Sequence, residues 1–201
     1  MKRCGWCSDD EIYIEYHDNV WGRPVKDSRD LFAKLCLDGQ QAGLSWLTIL
    51  KKQQTYYEAY NQFNPEIIRS YTQAKIDELL QNPGVIRNKL KVQSIIQNAN
   101  GYLAIEKEFG SFSYYIWSFV GHNPIINAWQ TMKDVPVTTL ESDAMSKDLK
   151  KRGFSFVGST ICYAFMQAVG MVQDHIVDCK SYDACLEEAK AFTLDEKAAS
   201  V

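Results

Sequence analysis

Residues 150–165 read "KKRGFSFVGSTICYAF", and the reading of this stretch decides the fold. Lys150-Lys151-Arg152 closes one helical pattern, Gly153 interrupts it, and Gly158-Ser159-Thr160 opens another that carries Ile161 and Phe165. Two helices joined by so short a turn can form an ordinary interhelical corner. They can also form a hairpin whose backbone N–H groups point outward at a helix N-terminus and hold a phosphate. The second reading needs little net positive charge, because its donors belong to the backbone.

Charge bears directly on that choice. The 201 residues carry a formal net charge of −3, with a pI of about 5.7. Such a balance counts against a broad, nonspecific nucleic-acid binder but allows a compact DNA site, since local charge matters more than the total. Basic clusters at Lys51–Lys52, at Arg87, Lys89 and Lys91, and at Lys150–Arg152 read most simply as solvated helix faces. A hydrophobic content of 46% supports one well-filled core, or a core with a small lobe. No run of about 18 apolar residues exists, so no membrane span is expected. The N-terminus turns polar too early for a signal peptide. An intracellular protein is expected, its six cysteines free thiols or metal ligands rather than disulfides.

Outward from the hairpin, the periodicity is helical almost throughout. Asp27 and Ser28 can cap a helix with Leu31, Phe32 and Leu35 inward, and Ser45 one with Trp46, Ile49 and Leu50 inward. Pro65 suits a first helical turn. Val92, Ile95, Ile96, Ala99, Tyr102 and Leu103 form one apolar stripe, and Ile161, Phe165, Ala168 and Val172 another. The best strand pattern is short, "VPVTTL" at 135–140. An all-α protein is expected, with a helix-prone tail from Asp183 fringing the fold.

Two further constellations carry chemistry. His175 and Cys179 stand four apart, one half of a zinc site, and Cys4 and His17 offer the same ligand types near the N-terminus. Four such ligands close a tetrahedron and make a structural site. The plain alternative is that His17 is a buried, hydrogen-bonded histidine. Trp6, Tyr13, Tyr16 and Trp21 crowd the N-terminus, with Trp46 beyond, and Asp38 lies just before Gly39 and Gly43. These aromatics can simply fill a core, or with one acid they can make a pocket for a flat, electron-poor ring.

"RCGW", "YHDNVWG", "GQQAGLSWLTILKK", "KKRGFSFVGSTICY" and "DHIVDC", in this order over about residues 2–182, resemble the bacterial 3-methyladenine DNA glycosylase I family. The resemblance implies a helix-hairpin-helix glycosylase fold in one domain, residues 1–182, with 183–201 a tail. Its hairpin falls on Gly153 to Gly158, with Ser159 and Thr160 at the DNA-facing helix start. "PGVIRNKLKVQSI" also resembles the glycine-to-lysine helix start upstream of the hairpin in related glycosylases. The family's zinc ligands fall on Cys4, His17, His175 and Cys179, one structural zinc clipping the N-terminal segment to the C-terminal region. Its base pocket falls on Tyr13, Tyr16, Trp46 and position 38, with Trp6 and Trp21 close by. Gly43 and Leu44 match the loop that enters the gap left by a flipped base.

The implied activity is hydrolytic removal of 3-methyladenine from alkylated double-stranded DNA, without lyase chemistry, by a monomeric bacterial cytoplasmic enzyme. Asp38 and Tyr16 would be its chemical groups and free 3-methyladenine its product. Many hairpin glycosylases use an aspartate near the position of Asp174, but this family is understood to have given that loop to metal. Asp174 is therefore expected to be a supporting or surface residue. One departure stands out: the family's acid at position 38 is glutamate, and Asp38 is shorter by one C–C bond, about 1.5 Å. That opens an alternative, a noncatalytic or weakened damaged-DNA-binding protein. A zinc hydrolase is a further rival, disfavoured because four protein ligands leave no open position.

Overall fold

Most helices begin where the sequence supplies a cap, in a computed structural model that describes residues 2–194. Asp10 accepts from the Ile12 N–H to start α1 (Glu11–Asn19), and Asp27 accepts from Arg29 and Asp30 to start α2 (Ser28–Gln41). Ser45 caps α3 (Trp46–Leu50), and α4 (Gln53–Ala59) follows. Pro65 occupies the first position of α5 (Pro65–Ile68), and α6 (Gln73–Gln81) comes next. Asn88 caps the long α7 (Lys89–Phe109), which Gly110 ends in a left-handed conformation at φ +77°. Beyond it lie α8 (Phe112–Ser118), α9 (Leu140–Lys151), α10 (Ser159–Ala168) and α11 (Tyr182–Lys190).

The core forms around α2, which packs against α7, α8 and α10. Leu31, Phe32 and Leu35 are fully buried on it, facing Val92, Ile95 and Ala99 of the α7 stripe in the same cluster. Asp38 lies on this central helix, itself buried.

Two expectations are corrected. The segment at 135–140 is not a strand. It leads into α9, where Thr139 and Ser142 form a reciprocal capping box that claims its end. Among the described residues the strands are β1 (Ile125–Ile126) and β2 (Val172–Gln173), a short parallel pair. Val172 therefore belongs to β2 and not to the α10 stripe. The cause is Gly170, at φ +70°, where a Cβ would stand 2.5 Å from the Pro24 nitrogen. Only glycine turns there against the Arg23–Pro24 backbone.

The 152–158 turn is clamped onto the helices beneath it. Gly153 takes φ +87°. Phe154 lies on Gly101 of α7, where a Cβ would come 2.3 Å from the ring, and Phe156 lies on Gly39 of α2. Between them, Ser155 N–H donates to Asn98 Oδ1 at 2.8 Å and its carbonyl accepts from Asn98 Nδ2 at 3.2 Å. Beyond residue 182, α11 buries Cys185, and Phe192 stacks on Trp117 with centroids 4.1 Å apart. The end of the tail, 195–201, lies outside the described residues.

Candidate base pocket and metal centre

Tyr13 and Tyr16 share one face of α1, three residues apart. Trp6 packs on that face, its ring centroid 5.3 Å from Tyr13 and 4.9 Å from Trp21, and Trp46 at the start of α3 meets Tyr16 at 5.4 Å. These five aromatics wall a cavity of about 340 Å³, completed by Lys34, Asp38 and Gln41 of α2, by Ala164, Gln167 and Ala168 of α10, and by the loop residues Met132, Val135 and Pro136. Asp38 is 5% exposed. One of its oxygens accepts from the Lys34 ammonium, while Oδ2, like the Trp46 indole N–H, has no partner. Buried polar atoms are nearly always paired. An orphan acceptor and an orphan donor lining one cavity mark it as a place for a polar, flat guest.

Burial pushes the Asp38 carboxyl above its usual range, and Lys34 opposes that shift. Burial likewise pushes the Lys34 ammonium down, against the pull of Asp38. Tyr16 is raised well above the usual phenol range, first by burial and then by Asp38, and stays protonated at neutral pH.

Beside the pocket, Cys4, His17, His175 and Cys179 are all buried, with ligand atoms within 4.8 Å of one another. Cys4 Sγ stands 3.5 Å from His175 Nδ1, and Cys179 Sγ stands 3.5 Å from His17 Nε2 and 3.4 Å from His175 Nδ1. A tetrahedral zinc with ordinary bond lengths requires sulfur–nitrogen edges of about 3.6 Å, so the donor set fits. The remaining ring nitrogens are also committed. His17 Nδ1 lies 2.8 Å from Asp18 Oδ1, and His175 Nε2 lies 3.2 Å from the Trp21 carbonyl, which leaves Nε2 and Nδ1 respectively for the metal. Arg3 foremost, then Lys180 and His17, holds the Asp18 carboxyl well below the usual carboxylate range. Cys179 is pulled down by its contact with Cys4, and Cys4 is pushed up by the same contact. The pair, rather than either sulfur, titrates.

A model of the methyladenine glycosylase family matches residues 6–182. The chain belongs to that family. It is 53% identical over 177 residues to a DNA-3-methyladenine glycosylase of Haemophilus influenzae, covering 88% of this chain and 96% of that protein. It is 50% identical over 182 residues to DNA-3-methyladenine glycosylase 1 of Escherichia coli, covering 90% and 97%. A solved 3-methyladenine DNA glycosylase I of Staphylococcus aureus superposes with a TM-score of 0.88 at 40% identity, over 90% of this chain and 97% of that one.

The family's helix-hairpin-helix is formed by α9, the 152–158 turn and α10. A Cβ at Gly158 would meet nothing within 4 Å, so the face before α10 is open. Thr160 is exposed there. Ser159, by contrast, turns its hydroxyl inward to Asp143 and Ser142, which leaves the outward donors to the backbone. Gly43, at φ +75°, lifts Leu44 to 38% exposure. The loop around them is tied twice at 2.7 Å, from the Leu44 N–H to the Gln41 carbonyl and from Gln41 Nε2 to the Leu44 carbonyl. Lys91, read from sequence as part of a solvated basic face, is instead buried. It donates to the carbonyls of Gln40 and Ala42, both at 2.7 Å, and closes the end of α2.

Asp174 is not at the surface. It is 1% exposed, with Oδ1 accepting from Asn127 Nδ2 at 2.7 Å and Trp129 Nε1 at 2.8 Å. Its Oδ2 accepts from the Tyr163 hydroxyl at 2.6 Å and Gln167 Nε2 at 2.9 Å. A carboxylate so supplied with donors ties α10 to the loop after β1. Sequence reasoning missed Lys34 and Gln167 in the pocket; Lys34, four residues before Asp38 on a predicted helix, offered a signal, and Gln167 offered none. It also missed the packing glycines Gly39 and Gly101, which stand inside helical patterns where glycine is unfavourable, and that was a usable signal.

Proposed function

We propose that this chain excises 3-methyladenine from alkylated duplex DNA by hydrolysis, as the names of its relatives indicate for them. One observation carries the assignment to this cavity: a buried acid with an unpartnered oxygen inside an aromatic enclosure. In DNA the 3-methylated adenine is cationic, so its glycosidic bond is already weak and little chemical help is required. The nucleotide leaves the stack, Leu44 fills the gap, and the hairpin backbone holds the phosphates. Trp46 stacks on the cationic ring, Tyr16 hydrogen-bonds it, and Asp38 Oδ2 accepts from the amino group on its edge. The C1′–N9 bond breaks with its electron pair going to N9, the base departs neutral, and water adds to the sugar without a covalent enzyme intermediate.

Cys4, His17, His175 and Cys179 would hold a zinc whose role is structural, pinning the wall that carries Trp6 and Trp21. Four protein ligands leave it no open position for hydrolysis. The enzyme works as a monomer in the bacterial cytoplasm. The test is chromatography of bases released from methylated duplex. Release of 3-methyladenine by this protein, lost in Asp38→Asn, supports the reading, whereas damage-specific binding without release would establish the noncatalytic alternative.

A further inference from the structure

The pocket's acid is not alone. Lys34 stands one helical turn before Asp38 on α2, and its ammonium pairs with the carboxylate while lying 4.1 Å from the centre of the Trp46 ring. Both residues line the cavity, and the Lys34 side chain is only 15% exposed. An ammonium has three N–H donors. One meets Asp38 Oδ1, and Asp38 Oδ2 remains free. The pair therefore sets a buried, unpartnered acceptor beside a donor in the cavity wall.

We propose that Lys34 is a second base-recognition residue, reading the base edge jointly with Asp38. The proposal rests on the base-pocket reading above. Asp38 takes an N–H of the adenine amino group, and Lys34 gives an N–H to a ring nitrogen next to it. In 3-methyladenine the ring nitrogens on either side of the amino group, N1 bonded to the amino-bearing carbon and N7 one atom beyond it, are free to accept. In 7-methylguanine an oxygen replaces the amino group, N1 carries a hydrogen and N7 is methylated, so the donor-beside-acceptor pattern that Asp38 and Lys34 would read is inverted at N1 and blocked at N7.

A cation beside a cationic base is not self-defeating. The base loses its positive charge as the C1′–N9 pair moves onto N9. The ammonium therefore disfavours the bound substrate more than the departing neutral base, and this differential lowers the barrier. Selection then rests on hydrogen-bond pattern as well as on charge. Lys34 also draws the Asp38 carboxyl back down against the upward push of burial. The other titratable groups in electrostatic reach of Asp38 are Tyr16 of α1, Cys36 of α2 and Cys162 of α10, all of them neutral. Burial pushes each of the three upward, Cys162 to about 12.

The test compares the unaltered protein with Lys34→Met and Lys34→Arg in single-turnover release of 3-methyladenine and 7-methylguanine from methylated duplex, at several pH values. Metal content and melting temperature are checked in each. Losing the donor should slow 3-methyladenine release by about tenfold or more, the effect of one hydrogen bond to a charged group. It should also narrow the preference over 7-methylguanine and move the acid limb of the pH profile upward. Arginine should restore most of the rate and the preference. If Met is as fast as Lys with undiminished preference, or faster, the lysine merely occupies the cavity and the proposal fails. Equal loss in Met and Arg with an unmoved pH profile would mark a packing role and also overturn it. If the unaltered protein releases no base at all, the base-pocket reading fails first, a distinct result.

Discussion

Asp38 carries a carboxyl that burial pushes up and Lys34 pulls back, so its net position lies above that of an ordinary aspartate. Only the ionised form accepts from an amino group. Excision should therefore fall as pH drops through that raised value, beginning its decline at higher pH than a surface aspartate would give. A pH profile of single-turnover release checks this, and Asp38→Asn should lower the plateau and abolish the limb. Asp38→Glu restores the reach of the family's acid and should match or exceed the present rate, by about tenfold if roughly 1.4 kcal/mol of contact is regained. Asp174 presents the opposite case, a buried carboxylate already supplied with four donors. Asp174→Asn leaves some of those donors unpaired, so stability should fall by about 1–3 kcal/mol. Release per folded molecule should stay within about tenfold. A loss of about 10³, the scale of removing a general acid or base, would make Asp174 part of the chemistry.

At the scale of the element, the hairpin separates two roles of glycine. Gly158 has an ordinary φ of −63°, and an added Cβ there would meet nothing within 4 Å. Gly158→Val should leave the melting temperature nearly unchanged. The added side chain would crowd the outward N–H groups proposed to approach phosphate, so affinity for undamaged and abasic duplex should fall in step. Loss confined to damaged DNA would remove the hairpin from the backbone-contacting surface. Gly101 lies under the turn, where a Cβ would stand 2.3 Å from the Phe154 ring. Gly101→Ala must displace that ring, at an overpacking cost of about 1–3 kcal/mol, and should weaken both stability and DNA binding. Thermal melts and duplex titrations on the two variants should therefore diverge.

For the whole molecule, the Cys4–His175 contact joins residues 171 apart in sequence, so a metal there closes nearly the entire chain into one loop. It also steadies the wall of the pocket, since His17 packs 5.1 Å from Trp6 and His175 packs 4.6 Å from Trp21. One equivalent of zinc per chain is expected, measured by elemental analysis. Cys179→Ser should lower metal content and melting temperature before it changes the ratio of bases released. A metal-free protein with an unaltered melting temperature would sink this assignment.

Sequence alone determined what depends on near neighbours or on a long ordered motif. Asp27 and Ser45 cap helices because a side-chain oxygen reaches a backbone N–H two or three residues on, whereas Thr139 stood in a stretch that read as a strand. The four candidate metal ligands were nominated by spacing and residue type and matched by the family resemblance, which also decided that the glycine-bracketed turn is a hairpin. Only the tertiary structure decided where distant segments touch. The Gly170 turn against Pro24 sends Val172 into a strand, and the docking of Phe154 and Phe156 onto two helices orients the hairpin. Lys34 reads in sequence as a lysine four residues before Asp38 on an amphipathic helix. It becomes part of the pocket because Trp46, twelve residues on, folds over its ammonium. Asp174 is a core residue because its four donors arrive from elsewhere in the chain, Asn127, Trp129, Tyr163 and Gln167. Burial of a charge is a property of everything packed around it, and no local pattern encodes that.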